Sequence, residues 1–361
     1  MDNYSKLPKK KWSTGKKTAV ILVSILLVLA LIAGGVYLYF ELSLNEGEAG
    51  KLTPEVETTE TTKAKDVEYI LVCGIDNDEE DPSRSGVGRT DLIMLVCYDR
   101  KAGSMSILQI PRDTYVGEEV PTGGTGKINA VYSHGADTQN RISNLAKVIN
   151  SQFKLPVDHY VTIDMQHFRE IINVLGGIQM YVPWDVPYFD ENGNQLGVIP
   201  EGDQLINGSQ AEIIVRSRKG YAQGDIKRLQ AQQYFFAAVF RTMKTFPMSD
   251  IIKVAPGFIN YFNTDYKVSE LISLASALQK MDSANIGFTR CPGGGLGKTN
   301  GHSGMYGVNA EALAPLLNDH FRPYSDPVPA AELGLPTGLV YAYGEIPGEY
   351  QSMGDLNIPT E

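Results

Sequence analysis

Tyr69-Ile70-Leu71-Val72-Cys73-Gly74-Ile75-Asp76 and, after a polar loop, Gly88-Arg89-Thr90-Asp91 followed by Leu92-Ile93-Met94-Leu95-Val96-Cys97-Tyr98 decide the fold of this chain. The runs Tyr69–Gly74 and Leu92–Tyr98 are short, continuous, apolar and rich in β-formers, the pattern of strands buried on both faces. Asp76 ends the first strand, and Gly88–Asp91 opens the second. Ser104–Ile110 is a third strand, ended by Pro111.

Downstream, the period changes. Ile142, Leu145, Ala146, Ile149 and Phe153 share one face of a helix over Gln139–Gln152. His159–Ile163 returns to strand, and Asp164 caps a helix that stops at Gly176-Gly177. Ile178–Val182 is a strand; Asn207 caps a helix to about Ser217, and a longer helix runs from Asp225 to about Lys244. Further helices are expected near Asp250–Phe262, Ser269–Met281 and Asn309–Asn318, with a strand at Asn285–Cys291. Strands and helices so intermixed predict an α/β (α+β) domain: a central mixed sheet with helices on both faces. It is expected over residues 67–324 as one unit, since no second linker or repeat interrupts it. Beyond Ser325, Pro and Gly are dense and periodicity fades, so residues 325–361 read as a loosely ordered tail.

Upstream, Ala19–Phe40 carries no charge. As a helix it would be roughly 33 Å long, enough to cross a hydrocarbon core of about 30 Å. Lys6, Lys9, Lys10, Lys11, Lys16 and Lys17 precede it, whereas Glu41, Glu46 and Glu48 follow. That asymmetry predicts a cytoplasmic stub over residues 1–18, a single signal-anchor span over 19–40, and everything beyond it outside the cell membrane. Residues 41–66, rich in Glu, Thr and Lys, read as a flexible extracellular linker reaching about 25–30 Å. The formal charge of -10 argues against a nucleic-acid partner. Cys73, Cys97 and Cys291 are odd in number; Cys73 and Cys97 lie in apolar strand runs and read as buried thiols.

Three segments carry more polarity than structure needs. Asp76 and Asp91 sit at strand ends, where carboxylates either converge at one edge of a sheet, as a hard cation requires, or serve as turn and cap residues. Ile110-Pro111-Arg112-Asp113-Thr114 brings a cation and an anion off the third strand, close to Lys127-Ile128-Asn129-Ala130. Arg216-Ser217-Arg218 precedes Asp225, Arg228 and Gln232, the last two one helical turn apart. Arginines with aspartates suit phosphate, which guanidinium groups grip in two-pronged fashion. Carboxylates without His or Cys partners favour Mg²⁺ over Zn²⁺. His134, His159, His167, His302 and His320 are scattered and read as structural. Gly293-Gly294-Gly295-Leu296-Gly297-Lys298-Thr299 imitates a phosphate-binding loop, but Pro292 stands where its first glycine belongs, and it reads as a flexible loop.

Taken in order, Leu71–Asp76, Gly88–Asp91, Ile110–Thr114, Lys127–Ala130, Asp158–Val161, Leu175–Gly177 and Arg216–Gln232 resemble the LytR-CpsA-Psr family of cell-envelope enzymes. The resemblance covers roughly Val67–Phe246. It implies a phosphotransferase that moves an anionic glycopolymer (teichoic acid, capsular polysaccharide or similar) from an undecaprenyl-pyrophosphate carrier to a muramic acid hydroxyl of peptidoglycan. It further implies that Asp76 and Asp91 hold Mg²⁺ and that Arg89, Arg112, Arg216, Arg218 and Arg228 clamp the pyrophosphate, with Gln232 adding a polar contact. Asp76, Asp91, Arg112 and Arg218 would form the catalytic set, with Asp76, Asp91 or Asp113 as proton acceptor. The helix Tyr234–Phe246 either lines an apolar tunnel for the polyprenyl tail or packs the core. Asp78, Ala231 and Asn173 depart from the family pattern, changes expected to remove positive charge from the rim of the site. A pyrophosphate hydrolase would use the same residues, with water as acceptor. A non-catalytic polyprenyl-phosphate receptor or regulator is the third reading, although the stub is too short to fold around DNA.

Overall fold

The computed structural model describes residues 51–59, 66–76, 88–190, 192–217, 225–252 and 261–356. The expected span Ala19–Phe40, the stub, most of the linker, and Asp78 and Arg218 lie outside the described residues. Among the described residues no helix is long and apolar enough to cross a membrane.

Three strands form a meander at the heart of the domain: β1 (Val67–Asp76), β2 (Arg89–Asp99) and β3 (Ser104–Gln109). Antiparallel pairing joins β1 to β2 and β2 to β3. Next come β4 (His159–Asp164), parallel to β1, and β10 (Ile286–Arg290), parallel to β3. With β9 (Phe262–Thr264) and β14 (Tyr350–Ser352) at the edges, the sheet runs β14-β10-β3-β2-β1-β4-β9. It is mixed, as the sequence predicts.

Alternation along the strands divides the core. Tyr69, Leu71, Cys73 and Ile75 face one apolar cluster; Ile70 faces another with Met94, Val96 and Ile107. The first is covered by α1 (Arg141–Val148) and α6 (Ala310–His320), the second by α4 (Asp225–Thr245) and α5 (Val268–Lys280). A side lobe holds α2 (Met165–Val174), α3 (Gly208–Arg216) and the hairpin-like pairs β5 (Ile178–Val182) with β8 (Gly202–Ile206) and β6 (Val186–Phe189) with β7 (Gln195–Ile199). Asp164 and Asn207 cap α2 and α3 as expected, accepting from His167 and Gln210 backbone N–H groups. The aromatic stretch of α4 packs core: Phe235 is buried edge-on to Phe168, and Phe240 edge-on to Phe288. All three cysteines are buried free thiols, and burial pushes that of Cys97 up to about 12.

Four expectations need correction. Residues 51–59, read as linker, are bound to the domain: Val56 is buried, and the N–H groups of Glu57 and Thr59 donate to Asn150 and Asp158. A few backbone-to-side-chain bonds and one apolar anchor suffice, and composition does not reveal them. Gly293-Gly294-Gly295-Leu296 is not a loop but the central strand, β11, of a small sheet between β12 (Tyr306–Val308) and β13 (Tyr341–Ile346). Glycine is needed because a Cβ on Gly293, at φ +150°, would lie 2.0 Å from the Gly307 carbonyl oxygen. The tail is ordered through residue 356: β13 pairs with β11, β14 pairs with β10, and Leu333 and Leu335 enter the first core cluster. Finally, Phe262 starts strand β9 rather than ending a helix, because its neighbours pair with β4; residues 253–260 lie outside the described set.

Candidate active site

The ends of β1 and β2 build the site. Asp76 faces Arg89 across the ladder, so the two share a side of the sheet. Gly74 pairs with Leu92 but Ile75 pairs with Thr90, which leaves Asp91 opposite no residue. This bulge turns Asp91 out of the ladder, a common device beside active sites. Thr90, fully buried, anchors the strand from behind through its hydroxyl, which donates to the Asn129 carbonyl at 3.4 Å.

Arg112 leaves β3 after Pro111 and its Nη1 donates to Asp91. The segment is held by the Asn129 N–H on the Arg112 carbonyl (3.1 Å) and the Ile128 N–H on that of Thr114 (2.8 Å). Asp113 takes Lys127 Nζ at 3.1 Å, with Arg112 Nε at 3.9 Å on its other side. Lys127–Ala130 is thus the clip that fixes the arginine-bearing turn.

From the side lobe, Arg216 at the last turn of α3 reaches Asp76 at 3.1 Å and Glu212 at 2.9 Å. Burial works against its charge, but Asp76, Glu212 and Asp91 together raise its ionisation above the ordinary arginine value. Both aspartates therefore act on one guanidinium. Glu212 also takes Arg169 of α2 at 2.7 Å, and the Asn173 side-chain oxygen accepts from Gly208 N–H at 2.8 Å. At Asn173 an amide oxygen does the accepting, so this departure removes no positive charge.

Arg228 and Gln232 are both 3 % exposed on α4. The Gln232 amide is committed within the protein: its oxygen accepts from Gln109 Nε2 of β3, and its Nε2 donates to the Val215 carbonyl at 2.7 Å. It fastens α4 to the sheet and to the residue before Arg216. These two bonds give Gln232 a bracing role. Ala231 is also buried, in the side-lobe cluster with Ile214 and Phe235, so its departure changes packing and not the rim.

Asp76, Arg89, Asp91, Arg112 and Arg216 are thus brought together, with Gln232 behind them; Arg218 lies outside the described residues. Sequence reasoning missed Gln109 and Glu212. The i, i+4 spacing of Glu212 to Arg216 was a usable signal; Gln109 offered none. Among the described residues no group of three or more His, Cys, Asp or Glu side chains encloses a metal. Two carboxylates at one edge still fit Mg²⁺, which binds through one or two carboxylates together with phosphate oxygens and water.

The model of the LytR_cpsA_psr family matches residues 37–321. Among curated relatives, the polyisoprenyl-teichoic acid–peptidoglycan teichoic acid transferase TagV of Bacillus subtilis (strain 168) is 28% identical over 286 residues, covering 75% of this chain and 69% of the relative. The correspondingly named TagU of Halalkalibacterium halodurans is 29% identical over 240 residues, covering 64% of this chain and 74% of the relative. The crystal structure of B. subtilis TagV superposes with a TM-score of 0.59 at 26% identity, covering 73% of this chain and 99% of that one.

Proposed function

This chain belongs to the LytR_cpsA_psr family, and from that premise we propose that it is a phosphotransferase joining an anionic glycopolymer of teichoic acid or capsule type to peptidoglycan. The donor is a polyprenyl-pyrophosphate-linked polymer and the acceptor a muramic acid hydroxyl. One observation carries the reading: Asp76, Asp91, Arg112 and Arg216, from β1, β2, the turn after β3 and α3, meet at one edge of the sheet in a charge-matched cluster. Without substrate the carboxylates hold the arginines in place; with it, the guanidinium groups turn to phosphoryl oxygens, where preorganised cations stabilise developing charge. Arg89, across the strand from Asp76, adds a third cation, and Arg218 and Arg228 complete the clamp. Gln232 holds Arg216 and α4 in register. Asp76 and Asp91 would bind Mg²⁺, which when bound supplies Lewis-acid polarisation of the phosphoryl group. Asp76, Asp91 and Asp113 are the carboxylates available to take the proton of the attacking hydroxyl. The domain works outside the cell membrane, anchored by the span Ala19–Phe40 with its N-terminus cytoplasmic.

The test is to incubate the protein with carrier-linked polymer, peptidoglycan fragments and Mg²⁺ and to identify products by mass spectrometry. A phosphodiester-joined product is expected, and Asp91→Asn should abolish it while leaving the thermal transition in place. Release of free polymer with no joined product would establish a hydrolase instead. Full transfer by Asp91→Asn would remove the metal assignment.

A further inference from the structure

One arginine beyond the cluster described above matches none of the segments that carry the family resemblance. Arg290 ends β10, in parallel register with Gln109 at the end of β3, about 4.8 Å away in the hydrogen-bonding direction. Alternation from Ile286 and Phe288 places it on the face of the sheet covered by α4, where Phe240 packs against Phe288 at 5.9 Å. Arg290 forms no ion pair among the described residues. The carboxylate that acts on it from a distance, Glu349, is exposed. Burial pushes its ionisation down, opposed by Tyr306, Glu349 and Tyr234 of α4. A partly desolvated guanidinium without a close counter-ion costs stability unless an anion arrives.

Gln109, beside Arg290 in the sheet, donates through Nε2 to Gln232, whose own Nε2 donates to the Val215 carbonyl next to Arg216. The polar row Arg216–Gln232–Gln109–Arg290 therefore leads from the aspartate cluster to the rim of the apolar layer under α4.

We propose that Arg290, beside Gln109 at the end of β10, is an anion subsite that binds a phosphate oxygen of the donor's pyrophosphate. This rests on the phosphotransferase reading above and adds a residue to it. The position suits a ligand with an anionic head and an apolar tail, since Phe288 shares the guanidinium's face of β10 and Phe240 packs against it.

The test uses the full chain in detergent micelles, with geranylgeranyl pyrophosphate, inorganic pyrophosphate and geranylgeraniol as probes, read by calorimetry. Arg290→Met should weaken both pyrophosphate probes about ten- to a hundredfold, the loss of one charge-assisted hydrogen bond, and leave geranylgeraniol unchanged. Arg290→Lys should recover part of the loss, and Glu349→Gln should not weaken binding. The thermal midpoint of Arg290→Met should equal or exceed that of the parent. Parent-like pyrophosphate binding by Arg290→Met overturns the subsite alone. A lowered midpoint with unchanged affinity overturns it too, by making Arg290 structural. Failure of the parent to bind any pyrophosphate overturns the phosphotransferase reading along with it. Weakening of inorganic pyrophosphate but not of the lipid probe would place the anion away from the tail and overturn a subsite beside Phe288.

Discussion

Replacing Gln232 with leucine separates bracing from substrate contact. The side chain is 3 % exposed, and both ends of its amide are bonded, to Gln109 Nε2 and to the Val215 carbonyl. Leucine fills a similar volume but leaves a buried donor and a buried acceptor unmatched. Each costs about 1–3 kcal/mol, so a total of about 2–6 kcal/mol is expected. At about 2–4 °C per kcal/mol in domains of 150–250 residues, the midpoint should fall by about 4–24 °C. Guanidinium unfolding followed by tryptophan fluorescence measures this directly, and the slope with denaturant should be unchanged. The double variant Gln109→Leu with Gln232→Leu should recover about 1–2 kcal/mol, because only the Val215 carbonyl remains unmatched. A Gln232→Leu protein as stable as the parent, yet unable to bind pyrophosphate, would refute the bracing argument and restore a direct contact.

Other perturbations test neighbouring parts. Glu212→Gln should loosen Arg216 and weaken pyrophosphate binding by about three- to tenfold, because Glu212 links Arg216 to Arg169; unchanged binding would mean that Asp76 alone orients it. His159 stacks on Tyr266 and its Nδ1 lies 3.1 Å from Asp265. Burial opposes its charge, but Asp265 outweighs it and raises the imidazole's pKa. Its stabilisation should therefore be fully present below about pH 6.5 and be lost as pH rises through the higher folded value; Asp265→Asn should flatten that slope in urea titrations. Gly293→Ala should destabilise by about 2–4 kcal/mol, given the 2.0 Å approach to the Gly307 oxygen, whereas Gly294→Ala, with 3.3 Å to its nearest neighbour, should cost about 1 kcal/mol or less. Equal midpoints for the two would contradict the close-approach account.

Periodicity and caps made the central architecture legible. Strands β1, β2, β4 and β5 and helices α2, α3 and α4 fall where apolar spacing, Asp164 and Asn207 place them, because local physics dominates there. Strands β11, β13 and β14 were illegible because pairing with distant partners creates them; a Gly-Gly-Gly strand has no propensity to read. At the site, residue types pointed to phosphate chemistry and the structure supplies convergence. Gln109 and Arg290 stayed hidden, since a lone polar residue at a strand end looks the same whether it meets solvent or a buried partner.

The placement of β10 has a consequence for how the chain folds. The meander β1-β2-β3 is complete by Gln109, yet β3 acquires its other neighbour only with Ile286–Arg290, and β10 acquires β14 only with Tyr350–Ser352. Until then β3 offers an unpaired apolar edge, which invites pairing with other chains. Closure across so long a loop is also slow. A nascent chain that has not yet reached Ile286 should thus remain protease-sensitive, and the sheet becomes self-contained only once Tyr350–Ser352 has been made.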